Sequence, residues 1–105
     1  MGKDYKDTVQ ILKALADETR LEIINMLSGG EMCACKILEN FDITQPTLSY
    51  HMKILTDCGL VDGKRDGAWM RYTLKKDAFE TVRCLFSDVC QSISHGQSPD
   101  CCKES

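Results

Sequence analysis

From Glu31 to Asp57 the chain reads EMCACKILENFDITQPTLSYHMKILTD, the pattern of two short helices joined by a tight polar connection. This stretch constrains the fold more than any other. Thr44 is a good N-cap, and Pro46 falls in the first turn of the second helix, where its missing N–H costs nothing. Leu48, Met52 and Leu55 recur at helical spacing and make a buried stripe. Pro46, Ser49, Tyr50 and Lys53 project from the other side, flanked at the N-terminal end by Gln45 and Thr47. Small amides and hydroxyls at a helix start, with one lysine, suit base edges and phosphates in a major groove. An ordinary amphipathic surface helix would more often carry Glu/Lys pairs there. The helix before it is expected from about Met32 to Asn40, with Cys33 and Cys35 in its opening turn.

The rest of the chain frames that pair. A helix is expected over Tyr5–Leu15, with Val9, Leu12, Leu15 and Ala16 inward and Ile11 beside them. Asp17 then caps a helix over Glu18–Leu27, with Leu21, Ile24 and Leu27, and Ile23 adjacent, facing the core, and Gly29-Gly30 ends it. The recognition-type helix runs from Gln45 to about Cys58, stopped by Gly59. From Leu60 to Leu74 the period changes to that of strands on either side of Lys64-Arg65-Asp66-Gly67, and Asp66-Gly67 is a strong hairpin signal. A helix pair followed by a basic hairpin (Lys64, Arg65, Arg71) outlines a winged helix-turn-helix. Asp77 caps a last helix, Ala78 to about Ile93, whose stripe of Ala78, Val82, Leu85, Val89 and Ile93 is widened by Phe79, Phe86 and Cys90. One small monomer cannot easily cover that much apolar surface, so a two-fold homodimer using this helix and the first is expected. The fold class is therefore α+β, mainly α. Residues 1–94 form the DNA-binding and dimerisation domain, and 95–105 a flexible cysteine-bearing tail.

At 105 residues there is chain for one modest core. No apolar run approaches the ~20 residues that cross a membrane, and the charged start MGKDYKD does not read as a signal peptide, so a cytoplasmic protein without a membrane partner is expected. Seven cysteines in that reducing compartment point to soft-metal or redox chemistry over a disulfide framework. The net charge of −3 is distributed unevenly: Thr44–Lys76 carries six basic against three acidic residues, or +3, which leaves −6 for the remainder. A basic surface on an acidic body fits a DNA binder that relies on specific contacts doubled by dimerisation. No Ser/His/Asp grouping or phosphate-binding glycine loop is present, so no enzyme is expected, and no organic cofactor.

Thiolates prefer soft ions. In a regular helix, Cys33 and Cys35 would point about 200° apart, so gripping one ion would require local unwinding. Ion binding and DNA binding would then compete through one bistable element. Two small apolar residues at a helix start are the plain alternative. Cys101-Cys102 is a second candidate, on a tail that spans ~23 Å when extended from Ser94. Cys84 is expected to pack, Cys58 to be structural, and His51 to lie at the edge of the buried face.

Taken together, these residues resemble the ArsR/SmtB family of winged-helix metalloregulatory repressors. LKALADETRLEIINML resembles the family's first two helices, ITQPTLSYHMKILTDCGLV its recognition helix, GKRDGAWMRYTL its wing, and EMCACKIL the cysteine-bearing opening of its arsenic-responsive branch. The resemblance covers about Tyr5 to Ile93. It implies a homodimer that represses a metalloid-resistance operon and leaves double-stranded operator DNA when trivalent arsenic or antimony binds as inducer. Cys33 and Cys35 would bind the metalloid. Gln45, Thr47, Ser49, Tyr50 and Lys53 would meet the major groove, with Lys64, Arg65 and Arg71 on flanking backbone or minor groove. Relatives with this opening often have a third cysteine where Leu38 stands, so the third ligand stays open among Cys90, Cys101 and Cys102. A switch driven by cadmium, lead, zinc or thiol oxidation is the alternative, and a soft-metal buffering protein that no longer binds DNA is a more distant one.

Overall fold

The computed structural model describes residues 4–95. Helix α1 (Lys6–Leu15) leads into α2 (Glu18–Leu27), then β1 (Met32–Cys33), α3 (Ala34–Leu38), α4 (Gln45–Asp57), β2 (Val61–Asp66), β3 (Trp69–Leu74) and α5 (Lys76–His95). This is a mainly helical winged helix-turn-helix with a small antiparallel sheet, as the patterning predicts. The cysteine tail expected over 95–105 lies outside the described residues, apart from His95 at the end of α5.

Local chemistry explains most boundaries. Asp17 is extended and its carboxylate accepts the Arg20 N–H at 3.0 Å, capping α2. Thr44 does the same for α4, its hydroxyl accepting the Thr47 N–H at 3.3 Å, with Pro46 in the first turn. The hairpin loop is tighter than expected, because Lys64, Arg65 and Asp66 continue β2 and only Gly67-Ala68 turns the chain. Gly67 takes φ +67°, which a side chain would disfavour.

The sheet order is β1-β3-β2. The helix expected over Met32–Asn40 is thus replaced by a two-residue strand and a five-residue helix. Met32 pairs with Tyr72 and Cys33 with Arg71. Cys33 has φ −75° and ψ 145°, so it ends the strand and caps α3 instead of entering it. Cross-strand neighbours share a face of the sheet. Met32, Tyr72 and Gly63 form a row on the core side, and Cys33, Arg71 and Lys64 the adjacent row on the outer side. A Cβ on Gly63 would lie 2.9 Å from the Tyr72 ring, so glycine there lets the ring lie flat against β2.

The core gathers Ile11, Ala14, Ile23, Leu27, Ile37, Leu48, Met52, Leu55, Leu60, Val61, Tyr72 and Ala78. The stripe of α4 is the expected one. Those of α1 and α2 are expected only in part: α1 buries Ile11 but adds Thr8 and Ala14 and leaves Val9 exposed, and α2 buries Ile23 and Leu27 but leaves Leu21 exposed. Both helices carry more apolar residues than the core takes. Helix α5 packs along α1 but leaves Phe86, Val89 and Ile93 exposed, at 50%, 47% and 73%. Among the described residues no helix is long and apolar enough to cross a membrane.

Candidate nucleic-acid interface and thiol pair

Helix α4 presents Gln45, Thr47, Ser49, Tyr50 and Lys53 to solvent, all on exposed positions, with Leu48, Met52 and Leu55 beneath them. The Thr47 hydroxyl lies 3.0 Å from that of Thr44 and so shares in the cap. The Lys53 ammonium reaches Asp57 at 3.2 Å, a surface pair weak enough for a phosphate to replace. A cleft lined by Ser49, Lys53, Thr56, Gly63, Met70 and Lys75 separates α4 from the hairpin. The wing's basic residues are all exposed but do not share one face. Lys64 and Arg71 are cross-strand partners on the outer face, while Arg65 pairs with Met70 on the other. Arg71 donates from Nε to Asp66 at 2.6 Å.

One link at this surface has no counterpart in the sequence reading. Arg20 donates from Nε to the Ala14 carbonyl at 2.6 Å and from Nη1 to Nδ1 of His51 at 3.0 Å. A guanidinium cannot accept, so Nδ1 is the acceptor and the imidazole proton sits on Nε2. Asp17 stands 3.9 Å from the same nitrogen. The end of α1, the cap of α2 and the recognition helix are thereby tied together. The only sequence signal was a histidine at the edge of a buried stripe, and nothing local pointed to an arginine 31 positions away.

Because Cys33 is extended and Cys35 helical, their sulfurs already meet, at 2.9 Å. The expectation that the fold holds them apart is overturned, because it assumed one continuous helix. At that distance one thiol can donate to the other. Cys33 lies below the ordinary thiol range, first because the Cys35 S–H donates to it, then through backbone N–H groups and the field of Arg71. Cys35 is pushed above that range, chiefly by the same bond. Both thiols are half-buried.

The other cysteines stand apart. Cys90 is exposed on α5, and Cys84, expected to pack, is exposed too. Cys58 is half-buried, its thiol 3.5 Å from the Leu55 carbonyl. Cys101 and Cys102 lie outside the described residues. Among the described residues no three His, Cys, Asp or Glu side chains converge as a metal site, so Cys33 and Cys35 form a pair without a third described donor.

Comparison with known proteins agrees with this fold. Residues 17–62 match the model of "Bacterial regulatory protein, arsR family". The chain is 42% identical over 90 residues to an arsenical resistance operon repressor of Staphylococcus aureus, covering 86% of this chain and 80% of that one. It is 46% identical over 78 residues to the repressor of the same name from Staphylococcus xylosus, covering 74% and 75%. A crystal structure of an ArsR family transcriptional regulator superposes with a TM-score of 0.84 at 23% identity, over 92% of this chain and 100% of the other. A winged helix with an exposed polar recognition face and relatives of this similarity across most of its length leave one assignment: the chain belongs to the arsR family of bacterial regulatory proteins.

Proposed function

We propose that the chain is a cytoplasmic, homodimeric repressor of an arsenic-resistance operon, released from its operator when trivalent arsenic, or antimony, binds at Cys33 and Cys35. The observation that carries this reading is the 2.9 Å approach of the two sulfurs beside the wing. Converged soft donors suit a thiophilic ion, and the relatives' names support arsenic as the signal. A third donor would come from Cys90 or from Cys101 and Cys102. Residues Gln45, Thr47, Ser49, Tyr50 and Lys53 would lie in the major groove, and Lys64, Arg65 and Arg71 on the adjoining backbone or minor groove. Exposed Phe86, Val89 and Ile93 on α5, with Tyr5 and Val9 on α1, support a second copy as the partner that covers them.

The test replaces both cysteines. Cys33→Ser with Cys35→Ser should keep its affinity for the DNA upstream of its own coding sequence and lose release by arsenite. Parallel titrations with cadmium, lead and zinc under reductant identify the ion. A double variant that still leaves DNA on adding arsenite refutes the assignment of these thiols.

A further inference from the structure

The segment that holds the thiol pair leans on the wing. Cys33 is at once the end of β1, the cap of α3 and the cross-strand neighbour of Arg71. Helix α3 packs chiefly against β1 and β3, and has no comparable contact with α4. Its one buried side chain is Ile37, which is fully enclosed. On the outer face of the sheet the row runs Cys33, Arg71, Lys64, and Arg71 also reaches along the hairpin to Asp66 at 2.6 Å. Two bonds of about 2.3 Å from one ion hold their sulfurs about 3.3 Å apart at a right angle and about 3.7 Å apart at a tetrahedral one. An ion bridging the pair therefore spreads sulfurs that now stand 2.9 Å apart. Ile37 anchors the Cys35 side in the core. On the Cys33 side the restraint is a two-residue ladder and the partly buried Met32, a weaker hold than a fully enclosed side chain. The displacement falls on β1 and reaches β3 at Arg71.

We propose that occupancy of the thiol pair is read at DNA through the wing, with Arg71 as the positioning residue that carries it across the β1–β3 ladder. This rests on the sensing role assigned to Cys33 and Cys35 above. It places the first movement in the hairpin, with α4 held by its core stripe and by the Arg20–His51 bond. The chain's single tryptophan, Trp69, lies on β3 two positions from Arg71, on the same face and opposite Asp66, so its emission reports on the element in question.

Two measurements on the full chain test this. The first needs no inducer: a double-mutant cycle on affinity for a labelled duplex of the upstream DNA, read by anisotropy. Cys33→Glu puts a carboxylate beside Arg71, in competition with Asp66 and with phosphate. It should weaken binding at least tenfold in the parent and less than threefold in Arg71→Ala, while Arg71→Lys keeps most of the effect. Effects additive to within twofold overturn the proposal. The second uses arsenite on the chain with Cys33 intact, so it survives any failure of Cys33→Glu to fold. Arsenite should shift Trp69 emission and release DNA in the parent. In Arg71→Ala it should bind with the same stoichiometry, while the ratio of empty to loaded DNA affinity falls toward one. Full release with unchanged Trp69 emission, or an undiminished ratio in Arg71→Ala, overturns the route through the wing. Coupling in the cycle without arsenite binding at the pair sustains the Cys33–Arg71 link and refutes the sensing role instead.

Discussion

The anchoring of α3 chiefly by one fully buried side chain gives a sharp prediction for Ile37→Ala. A five-residue helix has no stability of its own, so its position depends on what it packs into the core: Ile37 is 0% exposed, with Ala34 and Leu38 partly buried beside it. Truncation removes three carbons. At about 0.8 kcal/mol each, the transfer loss is about 2.4 kcal/mol, and the residual cavity brings the total to roughly 3–4 kcal/mol. A domain of this size has about 5–15 kcal/mol in all, so the variant should remain folded but sit close to its limit. Urea unfolding at one fixed protein concentration measures the change. With a slope of about 1.5 kcal/mol/M, the midpoint should fall by roughly 2 M, and Ile37→Val should cost about a third as much. Arsenite affinity should fall as well, because the Cys35 side of the thiol pair loses its fixed point. A loss below about 1 kcal/mol would refute the reasoning, because α3 would then be held by something other than Ile37.

Two further outcomes follow from the site and the helices around it. Cys33 is the thiol held low by its partner's S–H and Cys35 the one held high, so alkylation mapped by peptide mass should label Cys33 first and at lower pH than an ordinary thiol. Cys35→Ala removes the donor, and the inflection for Cys33 should move upward, slowing its labelling at neutral pH; an unchanged profile contradicts the thiol–thiol hydrogen bond. Phe86, half-exposed on α5, is expected at the contact with a second copy. Phe86→Glu should shift sedimentation toward monomer and weaken operator binding with it, and a dimer that persists at the same concentration argues for another interface.

The parts of the fold legible in the sequence are those where one period runs long enough to be read. Helix α4 has a cap, a proline in its first turn and three stripe residues at helical spacing, and each takes its expected place. The hairpin is marked by its Asp-Gly pair and its β-branched and aromatic residues, though the turn falls at Gly67-Ala68 and the strands reach further toward the tip than the charged run suggests. Strand β1 was not legible. Two residues cannot show an alternation, and what makes them a strand is the free edge of β3, some forty positions later in the chain. The thiol geometry follows from the same strand, since helical spacing does not hold across a residue whose ψ is 145°. The phase errors in α1 and α2 share another cause. Val9 and Leu21 are apolar but exposed, and the sequence shows an apolar residue without showing which surface takes it. The Arg20–His51 bond was invisible for the same reason as β1, being a pairing made only by tertiary structure.

The end of the hairpin has a consequence for how such a protein diversifies. Residues Lys64 to Ala68 are all exposed, and the core-facing members of the two strands, Val61 and Tyr72, lie below them. Residues inserted or deleted at Gly67-Ala68 would lengthen or shorten a free projection and leave the packing beneath it undisturbed. A lineage carrying this scaffold can therefore change the length of that projection by a few codons, while the folded body that carries it is inherited whole.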